Sequence, residues 1–182
     1  MGIKNKLAPF GILNVITGLL TILFDTSFET SDFIVDCLEL WWDGNKEQYR
    51  HIRQLVIKLD NGPQNSSHRT QFMKRMIGFA DKNNLEIVLA YYPPYYSKYN
   101  PIERCWGILE NHWSATLLDT TEITLEWAKT MTWKGISPVI KLVKTAYQKG
   151  VRMAKKAFNA LANRIDRDTS LPKYYLTIRP QA

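Results

Sequence analysis

Two carboxylates stand at points where the chain changes element. Asp60 ends the run at residues 54–59 (QLVIKL) and opens the turn Asp60-Asn61-Gly62-Pro63, and Glu103 follows directly on Asn100-Pro101-Ile102. The run alternates long polar with branched apolar residues, the pattern of a half-buried strand. Asn100 suits an N-cap and Pro101 the first helical position, which predicts a helix carrying Glu103 on its first turn. An Asp at the C-terminal end of a strand and a Glu opening a later helix can face the same edge of an α/β sheet, where open sheets bind ligands. Their hard oxygens suit Mg²⁺ or Mn²⁺ rather than zinc. Two such ions about 3.5 to 4 Å apart activate an attacking oxygen and stabilise a leaving one in phosphodiester chemistry. Each residue also has a plainer reading: Asp60 as an Asx-turn residue, Glu103 as the reciprocal member of a capping box with Asn100.

The elements needed to position them are legible along the chain. Residues 10–16 and 19–24 are β-rich runs flanking Thr17-Gly18, which predicts a hairpin. Thr30-Ser31-Asp32 offers an N-cap to a helix whose Phe33, Ile34, Cys37, Leu38, Trp41 and Trp42 recur at helical spacing up to Gly44. Ser66 or Ser67 is expected to cap a second helix bearing Phe72, Met73, Met76, Ile77 and Phe79, with Asn83-Asn84 as its stop and residues 85–90 as the next strand. Five tyrosines then fall within residues 91–99, before the Glu103 helix with its expected buried stripe of Ile102, Trp106, Leu109 and Trp113. Residues 123–165 read as helical with breaks at 135–138 and Gly150, and 171–181 as a short tail. Strand, strand, helix, strand, helix, strand is an α/β order.

A length of 182 residues suits one domain with a single core. Near-average apolar (45%) and charged (23%) fractions exclude collagen-like and wholly disordered classes. Two cysteines cannot make a disulfide scaffold, and three histidines do not form a zinc-type cluster. The net charge of +7 is a C-terminal property: residues 134–179 hold eleven Lys and Arg against Asp166 and Asp168 alone. Such a basic segment fits nucleic acid or an anionic membrane surface, or else a solvated helix that keeps the protein soluble. Residues 7–24 are apolar and follow Lys4 and Lys6, as a signal or anchor would begin. Pro9, Gly11, Asn14, Thr17 and Gly18 interrupt the run and acids follow it, so a buried hairpin is the better account and no membrane role is expected.

The words LDNGPQNSSHRTQF and LAYYPPYYSKYNPIERCWGILENHW resemble the catalytic core of DDE transposases encoded by bacterial insertion sequences, of the broad mariner-like group within the ribonuclease H-like, retroviral-integrase superfamily. The resemblance spans about residues 9–150. It implies that Asp60 is the second catalytic acid, at the end of the fourth core strand, and Glu103 the third, 43 positions on. It implies Mg²⁺ or Mn²⁺ held by Asp60 and Glu103, with DNA (transposon ends and target) as substrate and water or a DNA 3′-hydroxyl as nucleophile. Lys98, Tyr99 and Asn100 fall in the loop before the Glu helix, where Lys98 is expected near DNA phosphate. Lys141, Lys144, Lys149, Arg152, Lys155 and Lys156 are the further candidate DNA contacts. The intact family works as homo-oligomers, and a cytoplasmic, nucleoid-associated location in a bacterium follows from the same resemblance.

The family's first catalytic Asp lies on core strand one, the central strand of the order 3-2-1-4-5, upstream of the segment matching PFGIL at residues 9–13. The expected fold class is therefore α/β, a ribonuclease H-like core lacking its first strand, with a helical C-terminal extension. The expected domains are a partial core at residues 1–118 and a basic, mainly helical extension at 119–182. An N-terminally truncated or frame-disrupted transposase, impaired in catalysis, is the expected product. The alternative is an inactive remnant that binds DNA or associates with an intact transposase.

Overall fold

The computed structural model describes residues 7–114 and 120–181. In chain order the elements are β1 (Ala8–Leu13), β2 (Leu20–Asp25), α1 (Ser31–Asn45), β3 (Gln54–Leu59), α2 (Thr70–Asn83), β4 (Glu86–Tyr91), a 3₁₀ turn (Ser97–Tyr99), α3 (Pro101–Trp113), α4 (Thr121–Thr130), β5 (Val139–Val143), α5 (Lys155–Ala162), β6 (Ile165–Arg167) and β7 (Tyr175–Ile178). They form two compact units, Met1–Glu29 with Lys98–Tyr147 and Thr30–Ser97 with Gln148–Ala182, where the length alone suggests one core. Each unit has its own sheet, built from strands distant in sequence. The expected boundary between residues 118 and 119 lies outside the described residues.

The first unit contains the sheet β1-β2-β5. β1 and β2 are the expected hairpin, antiparallel from Ala8↔Asp25 to Leu13↔Leu20. β1 ends earlier than its apolar run because Asn14 starts the turn: its Oδ1 accepts from the backbone N–H of Ile16 and Thr17, and Gly18 follows at φ 77°. β5 lies parallel to β2. This corrects the helical reading of that stretch; Val139, Ile140, Leu142 and Val143 are branched residues suited to a strand. Leu20, Ile22 and Phe24 form a core with Cys105 and Leu109 of α3 and with Ala128, Met131 and Trp133. Leu109 of the expected α3 stripe is buried, while Ile102, Trp106 and Trp113 pack against this core partly covered. α3 approaches β1 so closely that a Cβ on Gly11 would stand 2.7 Å from Trp106 Cζ2 and 2.9 Å from Ile102 Cδ1.

The second unit contains the sheet β3-β4-β7-β6, with β3 parallel to β4 and the other pairs antiparallel. β7 occupies residues expected as a tail; Leu176 and Ile178 alternate inward and are fully buried beside β4. The extension is accordingly mixed, with α5 spanning only eight residues. Thr30 caps α1 as expected, its side chain accepting from the Phe33 N–H. α2 begins at Thr70, beyond Ser66 and Ser67: the Ser66 hydroxyl accepts from the His68 N–H and the Ser67 hydroxyl has no partner among the described residues, so neither caps the helix. Asn84 ends α2 in the left-handed region at φ 49°. α1 and α2 are tied by Arg75, which donates to Asp32 and Asp36. Arg164 joins the C-terminal part to α2 through Asp81. No helix among the described residues is long and apolar enough to cross a membrane.

Candidate functional site

Asp60 comes straight off the end of β3, whose last residue, Leu59, pairs with Tyr91 at the end of the parallel strand β4. The Tyr92 N–H donates to the Leu59 carbonyl at 3.0 Å, so the two strand ends are held together. The following turn curls back on the carboxylate: Asn65 Nδ2 donates to Asp60 Oδ1 at 2.9 Å. Asn65 is itself held by its backbone, whose carbonyl accepts from the Tyr91 hydroxyl at 2.7 Å. Burial pushes the Tyr91 phenol well above its usual value, so it keeps its proton and stays a donor. Ser31 at the start of α1 donates to the Gln64 carbonyl at 2.6 Å, and Arg167 of β6 donates to the Ser67 carbonyl at 2.6 Å. Asp60 makes no Asx-turn bond among the described residues; its carboxylate is held within the turn by the Asn65 amide.

Asn65 is buried, 9% exposed, and its Oδ1 has no hydrogen-bond partner among the described residues. The amide cannot be turned round to cure this, because Nδ2 must face the acceptor-only carboxylate. Gly62 sits opposite: a Cβ there would lie 3.0 Å from Asn65 Oδ1 and 3.6 and 3.7 Å from the two oxygens of Asp60. Three hard oxygens thus border one small space left open by the lack of a side chain, a donor set that fits Mg²⁺ or Mn²⁺. Sequence reasoning assigned Asn65 no role. An asparagine in a polar turn carries no local mark that distinguishes it, and Tyr91 and Arg167 are linked to the turn only by the fold.

Glu103 belongs to the first unit, exposed on the first turn of α3. Pro101 occupies the first helical turn as expected, and the Glu103 N–H donates to the Asn100 carbonyl at 3.1 Å. The Asn100 side chain makes no capping bond, so its half of the capping box is missing. Lys98 lies over the exposed Tyr99 ring at 5.1 Å, whereas Asn100 is buried. Cys105, also on α3, is no nucleophile: burial raises its thiol to about 11. Among the described residues no group of three or more His, Cys, Asp or Glu is assembled.

The basic candidates are not on one helix. Lys141 is a partly buried residue of β5 and Lys144 is exposed just after it, both in the first unit. Lys149, Arg152, Lys155 and Lys156 are exposed in the second unit, the last two in the first turn of α5. Cations there oppose the helix dipole and do not serve to stabilise the helix.

No curated protein and no solved structure matches the chain. A family model described as the Rhodopirellula transposase DDE domain matches residues 2–180, nearly the whole sequence, and the chain therefore belongs to the DDE transposase family.

Proposed function

We propose that this chain carries out the metal-dependent DNA cleavage and strand transfer of DNA transposition, with Asp60 and Glu103 as the carboxylates that hold Mg²⁺ or Mn²⁺. The single observation that carries the reading is the placement of Asp60 at the C-terminal edge of the parallel pair β3 and β4, one oxygen fixed by Asn65. A divalent cation held by such oxygens supplies the Lewis acidity that activates the attacking oxygen and stabilises the leaving one. The residues do the rest: Asn65 orients Asp60, the α3 backbone sets Glu103 on its first turn, and the exposed Lys98 and Tyr99 contact transposon-end or target DNA, a role the burial of Asn100 denies it. The ribonuclease H-like, mariner-type placement belongs to this proposal, with β1, β2, β3 and β4 as core strands two, three, four and five. So does the division into a core and a basic C-terminal extension. The chain acts on nucleoid DNA in the cytoplasm as a homo-oligomer.

Nicking of supercoiled plasmid DNA in Mn²⁺ tests the assignment. Asp60→Asn and Glu103→Gln each abolish nicking while DNA binding persists; retained nicking in either variant removes that residue from the site. A second reading, DNA binding without cleavage, is favoured by the exposed Lys144, Lys149, Arg152, Lys155 and Lys156. Under it, binding falls steeply with salt, and Lys155→Ala with Lys156→Ala lowers the log–log salt slope by about 2. An unchanged slope excludes these two as phosphate contacts.

A further inference from the structure

We propose that Asn65 is itself an oxygen ligand of the Asp60 cation, directly or through one water, in addition to orienting the carboxylate. The inference rests on the reading of Asp60 as a metal-holding acid. A carboxylate alone is a poor site for a cation that takes about six oxygens. A buried amide oxygen without a partner is a cost that native structures rarely leave standing. Asn65 Oδ1 is such an atom, and it is placed, not stray: Nδ2 is fixed on Asp60, the backbone carbonyl is fixed by Tyr91, and the oxygen faces the space over Gly62 that both Asp60 oxygens also border. A cation or its bound water in that space satisfies Asn65 Oδ1 and leaves Nδ2 on the carboxylate. Gly62 has a role on the same account, since any Cβ would fill the space at 3.0 Å from the amide oxygen. No metal is needed to explain the Nδ2 bond; it is the orphaned oxygen that calls for one.

The test is Mn²⁺ titration of the full chain, with free Mn²⁺ followed by electron paramagnetic resonance, and with circular dichroism confirming that each variant is folded. Asn65→Leu keeps the branched heavy-atom shape and removes both polar atoms; its affinity falls by about tenfold or more. Wild-type affinity in Asn65→Leu overturns the proposal, and Gly62→Ala separates a ligand from a residue that only orients Asp60. Gly62→Ala leaves every donor in place and crowds only the oxygen, so it weakens binding several-fold even if Asn65→Leu does not fold. Wild-type affinity in Gly62→Ala also overturns the proposal. Asp60→Asn separates the two levels of inference. Mn²⁺ affinity unchanged in that variant refutes the Asp60 site itself, whereas affinity lost there but retained in Asn65→Leu refutes only the role of Asn65.

Discussion

Gly11→Ala adds a single methyl to β1 and should unsettle the helix that bears Glu103. The new Cβ would stand 2.7 and 2.8 Å from two ring carbons of Trp106 and 2.9 Å from Ile102 Cδ1, where ordinary contact begins near 3.4 Å. A tryptophan ring packed on a core cannot bend away, so α3 or β1 must give by roughly 0.7 Å. Overpacking of this kind costs about 1–3 kcal/mol, or a fall of roughly 2–12 °C in Tm for a chain of this size. The internal control is Gly78→Ala on the exposed face of α2, where nothing lies within 4 Å of the added Cβ. There the same change stabilises by about 0.5–1 kcal/mol through helix propensity and a less free unfolded chain. Urea unfolding followed by tryptophan fluorescence reads both signs. In a nicking assay Gly11→Ala also loses rate, because displacements approaching 1 Å can cost about a hundredfold. A Gly11→Ala chain as stable as wild type would refute the close approach of α3 to β1 and the packing account of how Glu103 is held.

Two further outcomes follow from particular bonds. Thr30→Ala removes the side-chain acceptor for the Phe33 N–H and destabilises by about 1 kcal/mol, with Thr30→Ser largely restoring it; equal urea midpoints for Ala and wild type would dismiss the cap. The Asp81 carboxyl is held below its ordinary value of 3.8, first by the Arg164 hydrogen bond. A depressed carboxylate contributes stability that is present above the unfolded-state value and lost as pH falls through the folded one. Asp81→Asn is therefore less stable than wild type at pH 7, and the gap narrows below about pH 4. Urea midpoints at pH 7 and pH 3 measure it, and a gap of equal size at both contradicts the Arg164 account.

The elements legible in the sequence were those specified by near neighbours. The hairpin at Thr17-Gly18, the Thr30 cap, β3 at residues 54–59, the Asn84 stop and the Pro101 start each depend on residues within a turn of one another. The misread elements depend on distant partners. Residues 139–143 offered branched side chains but no alternation, and it is the parallel ladder to β2, over a hundred positions upstream, that makes them β5. Likewise β7 is a strand because β4 lies beside it. The two-unit organisation escaped for the same reason, since each unit closes by pairing stretches from both halves of the chain.

The candidate site divides along the same line. Asp60 was visible because a strand end and a turn are local facts, and Glu103 because Asn100-Pro101 marks a helix start. What fixes the turn that follows Asp60 is not local: Tyr91 of β4 anchors the Asn65 carbonyl, Arg167 of β6 anchors the Ser67 carbonyl, and Ser31 of α1 anchors the Gln64 carbonyl. Three separate elements thus hold one short turn by its backbone. A turn that served only to connect β3 to α2 would need none of this, since a surface loop can leave its carbonyls to water. Holding the backbone from three sides leaves the side chains of Asp60 and Asn65 free to be set by each other and by whatever lies over Gly62. That is the arrangement expected of a site in which rigid placement of two oxygens matters more than the stability the turn itself contributes.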